Sequence, residues 1–482
     1  MRKRIISILM VIVFTFSLGT TVIAQDSEAD SVLTLTMEVF KESLSNDFGI
    51  EFAQNYIISI GILDTIFSSF PMNRFGDTIF PNDFGGIYID DNGNLHMLVV
   101  GSLNAAAFNL DSFTAIAAAQ RSEGVNVRVV EFPYNKLLEV MNLLNDLISR
   151  NFDLLPAAGN VRVWSVDVSG NRIVVELEDA SEEMIELFRS TVFDSLVLEF
   201  RQLSGIHAAF ISDMYSRMTM EAYADVNETE SYMDEYFLEI PLDFDEFAEY
   251  YADYSEEGIG ERIFTAVTAG GRIGIRRNGV HIDYGSIGYG ARMGVRNGFI
   301  TAAHLGNVLR QNDRIYFHGW HVGTVQFSGD VSIAGVDAAF VTLNPGIGFR
   351  FTVPAPPSPI RVEVTNSITD VMGRVIHSVG GADPNQGGYR HRSGMVATPN
   401  ISFITGRGHW LNNVATVDFR TQPGESGGIA YSIVNLNFID PDPRVALLGI
   451  TVGEAIHNNN WVSIISRHSE IRNALGAAIQ WP

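Results

Sequence analysis

The sequence predicts an α+β amino-terminal half followed, from about residue 266, by an all-β half. Three observations carry that expectation. In the first half, apolar residues recur at helical spacing between two alternating strand–turn–strand units. After Phe264 the chain is rich in glycine and β-branched residues, in short alternating runs cut by turn signals, the pattern of an all-β barrel or sandwich. The charge divides at the same place: residues 25–265 hold 43 acidic and 12 basic side chains, and residues 266–482 hold 13 and 17.

At 482 residues the chain exceeds what one hydrophobic core usually supports, so two or three domains are expected. With 46% hydrophobic and 18% charged residues it is not a disordered chain. The net charge of −24 argues against nucleic acid, whose phosphates demand a basic face. The absence of cysteine excludes disulfides, cysteine-ligated zinc, iron–sulfur clusters and a cysteine nucleophile. The acidic and mildly basic halves read as modules that attract one another, an association expected to weaken as salt is raised.

Residues 1–24 read as a signal peptide for secretion. Arg2, Lys3 and Arg4 precede an apolar run from Ile5 to about Leu18, and Val22-Ile23-Ala24 offers a cleavage site before Gln25. A membrane anchor is the competing reading, but Thr15, Ser17, Gly19, Thr20 and Thr21 dilute the run. No other stretch is long and apolar enough to span a membrane, so no membrane partner is expected once the signal is removed.

Residues 25–220 form the α+β region. Asp83–Leu95 reads as a hairpin around Asp91-Asn92-Gly93, and Val161–Leu177 as a second around Ser169-Gly170-Asn171, because these turn residues tolerate positive φ. Leu137, Leu138, Met141, Leu144, Leu147 and Ile148 mark an amphipathic helix between them, and another helix is expected from Glu182 to about Val192. Residues 221–265 form a linker. Its 221–261 stretch has 15 acidic and no basic residues among nine aromatics, and reads either as a solvated spacer or as an arm lying on a partner.

In residues 266–482, Arg277-Asn278-Gly279 and Arg296-Asn297-Gly298 read as hairpin turns, Pro-rich 353–359 as a loop between two halves, and Ser466–Ala478 as a closing helix. Three segments carry chemistry. Gly298–Gly306 ends an apolar strand on His304, and Gly335–Val341 sets Asp337 in an apolar strand, where a carboxylate is costly unless hydrogen-bonded. Gln422–Gly428 sets Ser426 among glycines, so that the backbone can turn sharply and neighbouring N–H groups can converge. Each is weak alone; together, in the order His, Asp, Ser, they point to nucleophilic acyl transfer.

Residues 266–482 resemble chymotrypsin-fold serine endopeptidases of the bacterial alpha-lytic protease and streptogrisin type. The matching motifs are Thr301-Ala302-Ala303-His304, Val336-Asp337-Ala338-Ala339, Gly424-Glu425-Ser426-Gly427-Gly428 and Gly449-Ile450-Thr451-Val452-Gly453. The first half is similar to that family's propeptide. The resemblance implies two six-stranded antiparallel β-barrels behind an α+β pro-region that assists folding and then inhibits, with processing near Arg262 to Thr268. It implies Ser426 as nucleophile, His304 as base, Asp337 as its orienter, Gly424 and Ser426 N–H groups as oxyanion hole, and Thr451, Val452, Gly453 and Glu454 as the substrate-binding wall. No metal or cofactor is implied. The partners implied are polypeptide substrates and the chain's own propeptide, and a monomer is expected.

The sequence departs from that family at three points. Glu425 stands where the family has aspartate, which calls for a repositioned cation such as Arg420. Val452 replaces a serine that supports the triad aspartate, leaving Thr451 to compensate. Leu305 and the lack of cysteine remove the disulfide that braces the histidine loop. Glu454 either favours a basic substrate side chain or points to solvent. Two rivals compete: a catalytically decayed protease-fold binding protein, and an α/β-hydrolase esterase using Ser426 with, for instance, Asp440 and His457. The second would need a helix directly after the serine, whereas Ile429–Val434 is strand-like. His318, His321 and His391 lack further ligands at metal spacing, and no phosphate loop is present.

Overall fold

A computed structural model describes residues 41–73, 78–101, 125–203, 209–210, 266–305, 308–328, 335–350, 352–353, 360–362, 371–383, 388–404, 410–422, 424–434, 444–457 and 460–476. The signal segment, the 221–261 tract and residues 262–265 of the expected processing region lie outside them, while Ala266–Thr268 forms a short strand.

The first half contains both expected hairpins. Phe84–Ile89 pairs with Leu95–Val100, and Val161–Asp167 with Arg172–Leu177, where Asn171 takes a φ of 54°. The predicted helices span Tyr134–Asn151 and Glu182–Thr191, the latter capped by Ser181, whose Oγ accepts from Met184 N. A further helix, Ile50–Ser69, had no clear signature in the sequence. It buries Phe52, Tyr56, Ile60 and Leu63 but leaves Ile50 and Ile58 exposed, so its apolar residues occupy several faces and blur the helical period.

The second half is β-structure built on two sheets. Seven antiparallel strands run in the spatial order 280–286, 272–277, 314–317, 320–328, 339–343, 296–301, 290–293. Six others close on themselves. Val375–Asp383 pairs with Gly388–Ile404, that with Trp410–Val417, then Asn460–Arg467, Arg444–His457 and Ile429–Val434, which returns to Val375–Asp383. A helix, His468–Leu475, follows the last of these strands, with Gly476 at φ 61° ending it. One core, including Ile273, Phe299, Phe340, Ile429 and Ile450, runs through both sheets.

Asn278 and Gly279, at φ 53° and 83°, make the expected turn between 272–277 and 280–286. Arg296-Asn297-Gly298 does not turn. It begins a strand, and the reversal falls at Gly294-Val295, since Met293 faces Arg296. Gly298 answers a different need: a Cβ there would strike Val341 O and the Phe340 ring, so glycine permits the close approach of the paired strand.

The halves share structure. Ile401–Phe403 of the closed ring pairs antiparallel with Val163–Ser165, so the first half's hairpin extends the second half's sheet. Below that seam lies a buried polar network. Asn145 Oδ1 accepts from Trp164 Nε1 at 2.6 Å and from Ser402 Oγ at 2.8 Å, while Asn145 Nδ2 donates to Asn413 Oδ1 at 2.8 Å. A second contact joins residues 41–101 to the segment entering Val375–Asp383. Val375 N donates to Tyr56 Oη at 2.8 Å, and the fully buried Arg374 donates to Ser432 Oγ at 2.9 Å and lies 3.3 Å from Asp64.

Candidate active site

Strand pairing brings the three sequence-predicted segments to one place. Thr301 faces Ala339 in register, so the residues just after one strand and just before the other, His304 and Asp337, are neighbours. Ser426 lies two glycines before Ile429–Val434 of the closed ring. Its carbonyl accepts from Ser286 N at 2.8 Å, and the following Gly427 packs so closely on Thr301 that a Cβ would strike its Oγ1. The site therefore forms where the two sheets meet.

Asp337 is fully buried, and its charge is balanced by three donors. Oδ1 accepts from Ala303 N at 2.7 Å and His304 N at 3.0 Å; Oδ2 lies 2.6 Å from His304 Nδ1. These bonds fix the ring's orientation and place its proton on Nδ1 facing the carboxylate. The opposite nitrogen, Nε2, is buried and has no hydrogen-bond partner. An imidazole oriented by a carboxylate, with its second nitrogen unpaired, has the arrangement needed to accept a proton from a nucleophile.

The serine loop is held from both ends. Gly424 has a φ of 87° and Gly427 of 89°, which glycine reaches without strain. Ser286 Oγ donates to Gly424 O at 2.6 Å and accepts from Gly381 N at 2.6 Å. The N–H groups of Glu425, Gly427 and Gly428 bond the carbonyls of Gln422, Thr451 and Glu425.

Glu425, nearly fully buried, draws its cation from a place the sequence did not suggest. Arg392 Nη2 lies 3.1 Å and Arg390 Nη1 3.8 Å from its Oε1, and Gln422 N donates to Oε2 at 3.2 Å. Arg420, the sequence-based candidate, instead lies 3.6 Å from Glu454 and stacks on Trp461 at 4.3 Å. Thr451 Oγ1 hydrogen-bonds Ser378 Oγ at 2.9 Å, not Asp337, whose support comes from the histidine loop's own backbone. Val452 is buried in the core, and Gly453 and Glu454 continue the same strand. On that strand the backbone of Ala209-Phe210 pairs antiparallel, Phe210 facing Glu454 and Ala209 facing Ala455.

Among the described residues no group of three or more histidine, aspartate or glutamate side chains could hold a metal ion, and no helix is long and apolar enough to cross a membrane.

Residues 135–203 match the family model of a Pro-like C-terminal domain. No curated protein matches the chain. Solved structures similar to it include Thermobifida fusca protease A, at 17% identity over 45% of this chain and 100% of that one, with a TM-score of 0.32. Cellulomonas bogoriensis chymotrypsin is similar at 20% identity over 45% of this chain and 98% of that one, TM-score 0.33. Nocardiopsis protease is similar at 16% identity over 45% and 100%, TM-score 0.34.

Proposed function

We propose that this chain is a serine endopeptidase made as a secreted zymogen. The observation that carries the reading is the buried Asp337–His304 pair, held at 2.6 Å at the end of the strand against whose Thr301 the loop of Ser426 packs through Gly427. In the proposed reaction Ser426 Oγ attacks the peptide carbonyl carbon while its proton passes to His304 Nε2. Asp337 stabilises the resulting imidazolium, and the N–H groups of Gly424 and Ser426 receive the oxyanion, worth about 10²–10³ in rate per donor. His304 then protonates the leaving amine, and water hydrolyses the acyl-enzyme. No metal or organic cofactor is required for this chemistry.

Residues 25–220 are read as the pro-region and 266–482 as two chymotrypsin-like barrels carrying the catalytic groups. The sheet shared through Val163–Ser165 supports a folding assistant, since barrels rich in non-local pairings form slowly. The Ala209-Phe210 strand supports an inhibitor: it covers the edge on which a peptide would be held by β-augmentation. Cleavage of the 221–265 linker near Arg262 would separate the two parts.

Expression of the wild-type chain and Ser426→Ala, followed by electrophoresis and a casein assay, tests this reading. Wild type should process to a smaller fragment that digests casein, and the variant should do neither. A variant that digests casein as well as wild type excludes Ser426 as the nucleophile.

A further inference from the structure

The proposed reaction leaves open which side chain precedes the cleaved bond. Three facts about the edge strand bear on it. A chain laid antiparallel on Glu454–Ala455, as Ala209-Phe210 is, points its carboxy-terminal direction toward Val452 and Thr451, and Thr451 O accepts from Gly427 N beside Ser426. In such a pair the residue opposite Glu454 and the one two positions on project to the same face as the Glu454 side chain, the second about 7–8 Å away along the diagonal. A long side chain two residues past that position, next to the serine, therefore reaches toward the Glu454 carboxylate.

That carboxylate has unused capacity. Its side chain is 14% exposed; Thr421 donates to the carboxylate from its backbone N–H and its hydroxyl, Arg420 lies 3.6 Å from Oε2, and Oε1 is buried with no hydrogen-bond partner. The opposing cation, Arg420, is half-exposed and held against Trp461, so solvent screens it and its position is fixed by stacking. Thr421, which bonds the carboxylate, and Ser463, which faces Glu454 on the paired strand, are buried and uncharged, and Ser463 Oγ donates to Phe419 O.

We infer that Glu454 selects substrates with a cationic side chain, lysine or arginine, at the residue whose carbonyl Ser426 attacks. This rests on the endopeptidase reading above. An ammonium or guanidinium satisfies the open Oε1, whereas an acidic side chain meets like charge and an apolar one leaves the oxygen buried and unpaired. The chain's own linker fits the rule. Between Arg201 and Arg272 the sequence has two cationic residues, Arg217 and Arg262, one on each side of the acidic 221–261 stretch. A protease with this preference would cut its own chain after Arg217, at the end of the first half, or after Arg262, in the linker, and leave the stretch between them untouched.

The test uses the processed enzyme and peptide-coumarin substrates that differ only at the residue before the cut: Arg, Lys, Ala, Leu, Phe and Glu. It is run on wild type and Glu454→Gln, with a phosphonate label on Ser426 as the separate readout of a working nucleophile. Arg and Lys substrates should be preferred in wild type. Their kcat/KM relative to Leu should fall at least about thirtyfold in Glu454→Gln, the scale of losing one partner of a buried charge pair. Amino-terminal sequencing should place the processed terminus at Met218 or Ile263. Labelled wild type that prefers Ala, Leu, Phe or Glu overturns the inference and leaves the endopeptidase reading standing, as does an unchanged Arg/Leu ratio in Glu454→Gln. Wild type that neither labels nor cleaves overturns both.

Discussion

Arg392 Nη2 lies 3.1 Å from Glu425 Oε1, so the residue before Ser426, the proposed nucleophile, is tied to a strand more than thirty positions away. The pair is shielded, with Glu425 3% and Arg392 30% exposed at the side chain, and Arg390 stands 3.8 Å off as a weaker second cation. Through it the strand Gly388–Ile404 fixes the loop that carries Gly424 and Ser426. Removing the guanidinium would leave a buried carboxylate short of its main partner, which is strongly destabilising, whereas keeping a cation there would not.

Arg392→Ala is therefore expected to lower kcat by about 10²-fold or more through a displaced oxyanion loop, with a smaller change in KM. Arg392→Lys should recover part of the loss, because a point charge replaces the fork. Steady-state kinetics on the processed enzyme check this, and equal kcat in all three proteins would remove Arg392 from this positioning role.

Asn145 bonds Trp164, Ser402 and Asn413 inside the seam between the halves. Asn145→Leu strips partners from three buried polar groups and should cost the association of residues 134–203 with the closed ring about 2–4 kcal/mol. Limited proteolysis of the unprocessed Ser426→Ala chain would show it as faster cutting within 134–203. An unaltered cleavage rate would mean the shared sheet alone holds the seam.

Residues 41–101 have their own hold on the second half. Their core includes Val371 and Val375, and Asp64 faces the fully buried Arg374. Asp64→Ala should lower the stability of the unprocessed chain by about 2–4 kcal/mol, because it takes an ionic partner from a buried guanidinium. Urea denaturation measures the loss.

His377 gives an acid-sensitive element. It lies partly buried in Val375–Asp383, with Nε2 out of contact with solvent and the ring stacked on Tyr431 with centroids 5.6 Å apart. Burial lowers its pKa to about 4, with Asp47 pulling it up and His391 pushing it down. The folded value lies below the unfolded value of about 6.5, so the unfolded chain takes up the proton first as pH falls. The stability contributed by the neutral ring is complete above about pH 6.5 and is lost toward about pH 4, about 3 kcal/mol in all. Urea midpoints at about pH 7.5 and about pH 4.5 should therefore separate further in wild type than in His377→Gln.

Much of this was legible in the sequence, because the signals were local. Each of the three candidate segments lies within a few residues of a strand end, and Thr301–Ala339 pairing is the long-range step that joins His304 to Asp337. Asn278-Gly279 shows its turn in two residues, whereas Arg296-Asn297-Gly298 misled because Gly298 serves strand packing rather than a turn. What escaped were contacts set by topology alone. Arg392 reaches Glu425 only because a 17-residue strand passes the serine loop. Asn145 meets Asn413 across 268 positions. Nothing in the sequence near Arg420 shows that it turns away to Glu454 and Trp461.

The central claim is that His304, oriented by Asp337, activates Ser426. Intact-mass spectrometry after treatment with a peptidyl phosphonate tests it most directly, on the processed enzyme and on Asp337→Asn. The account expects one adduct mapping to Ser426, with labelling slowed by about 10⁴-fold in Asp337→Asn, where the imidazole is held in the wrong tautomer. An adduct on another residue, no adduct on wild type, or equal labelling rates in the two proteins would contradict it.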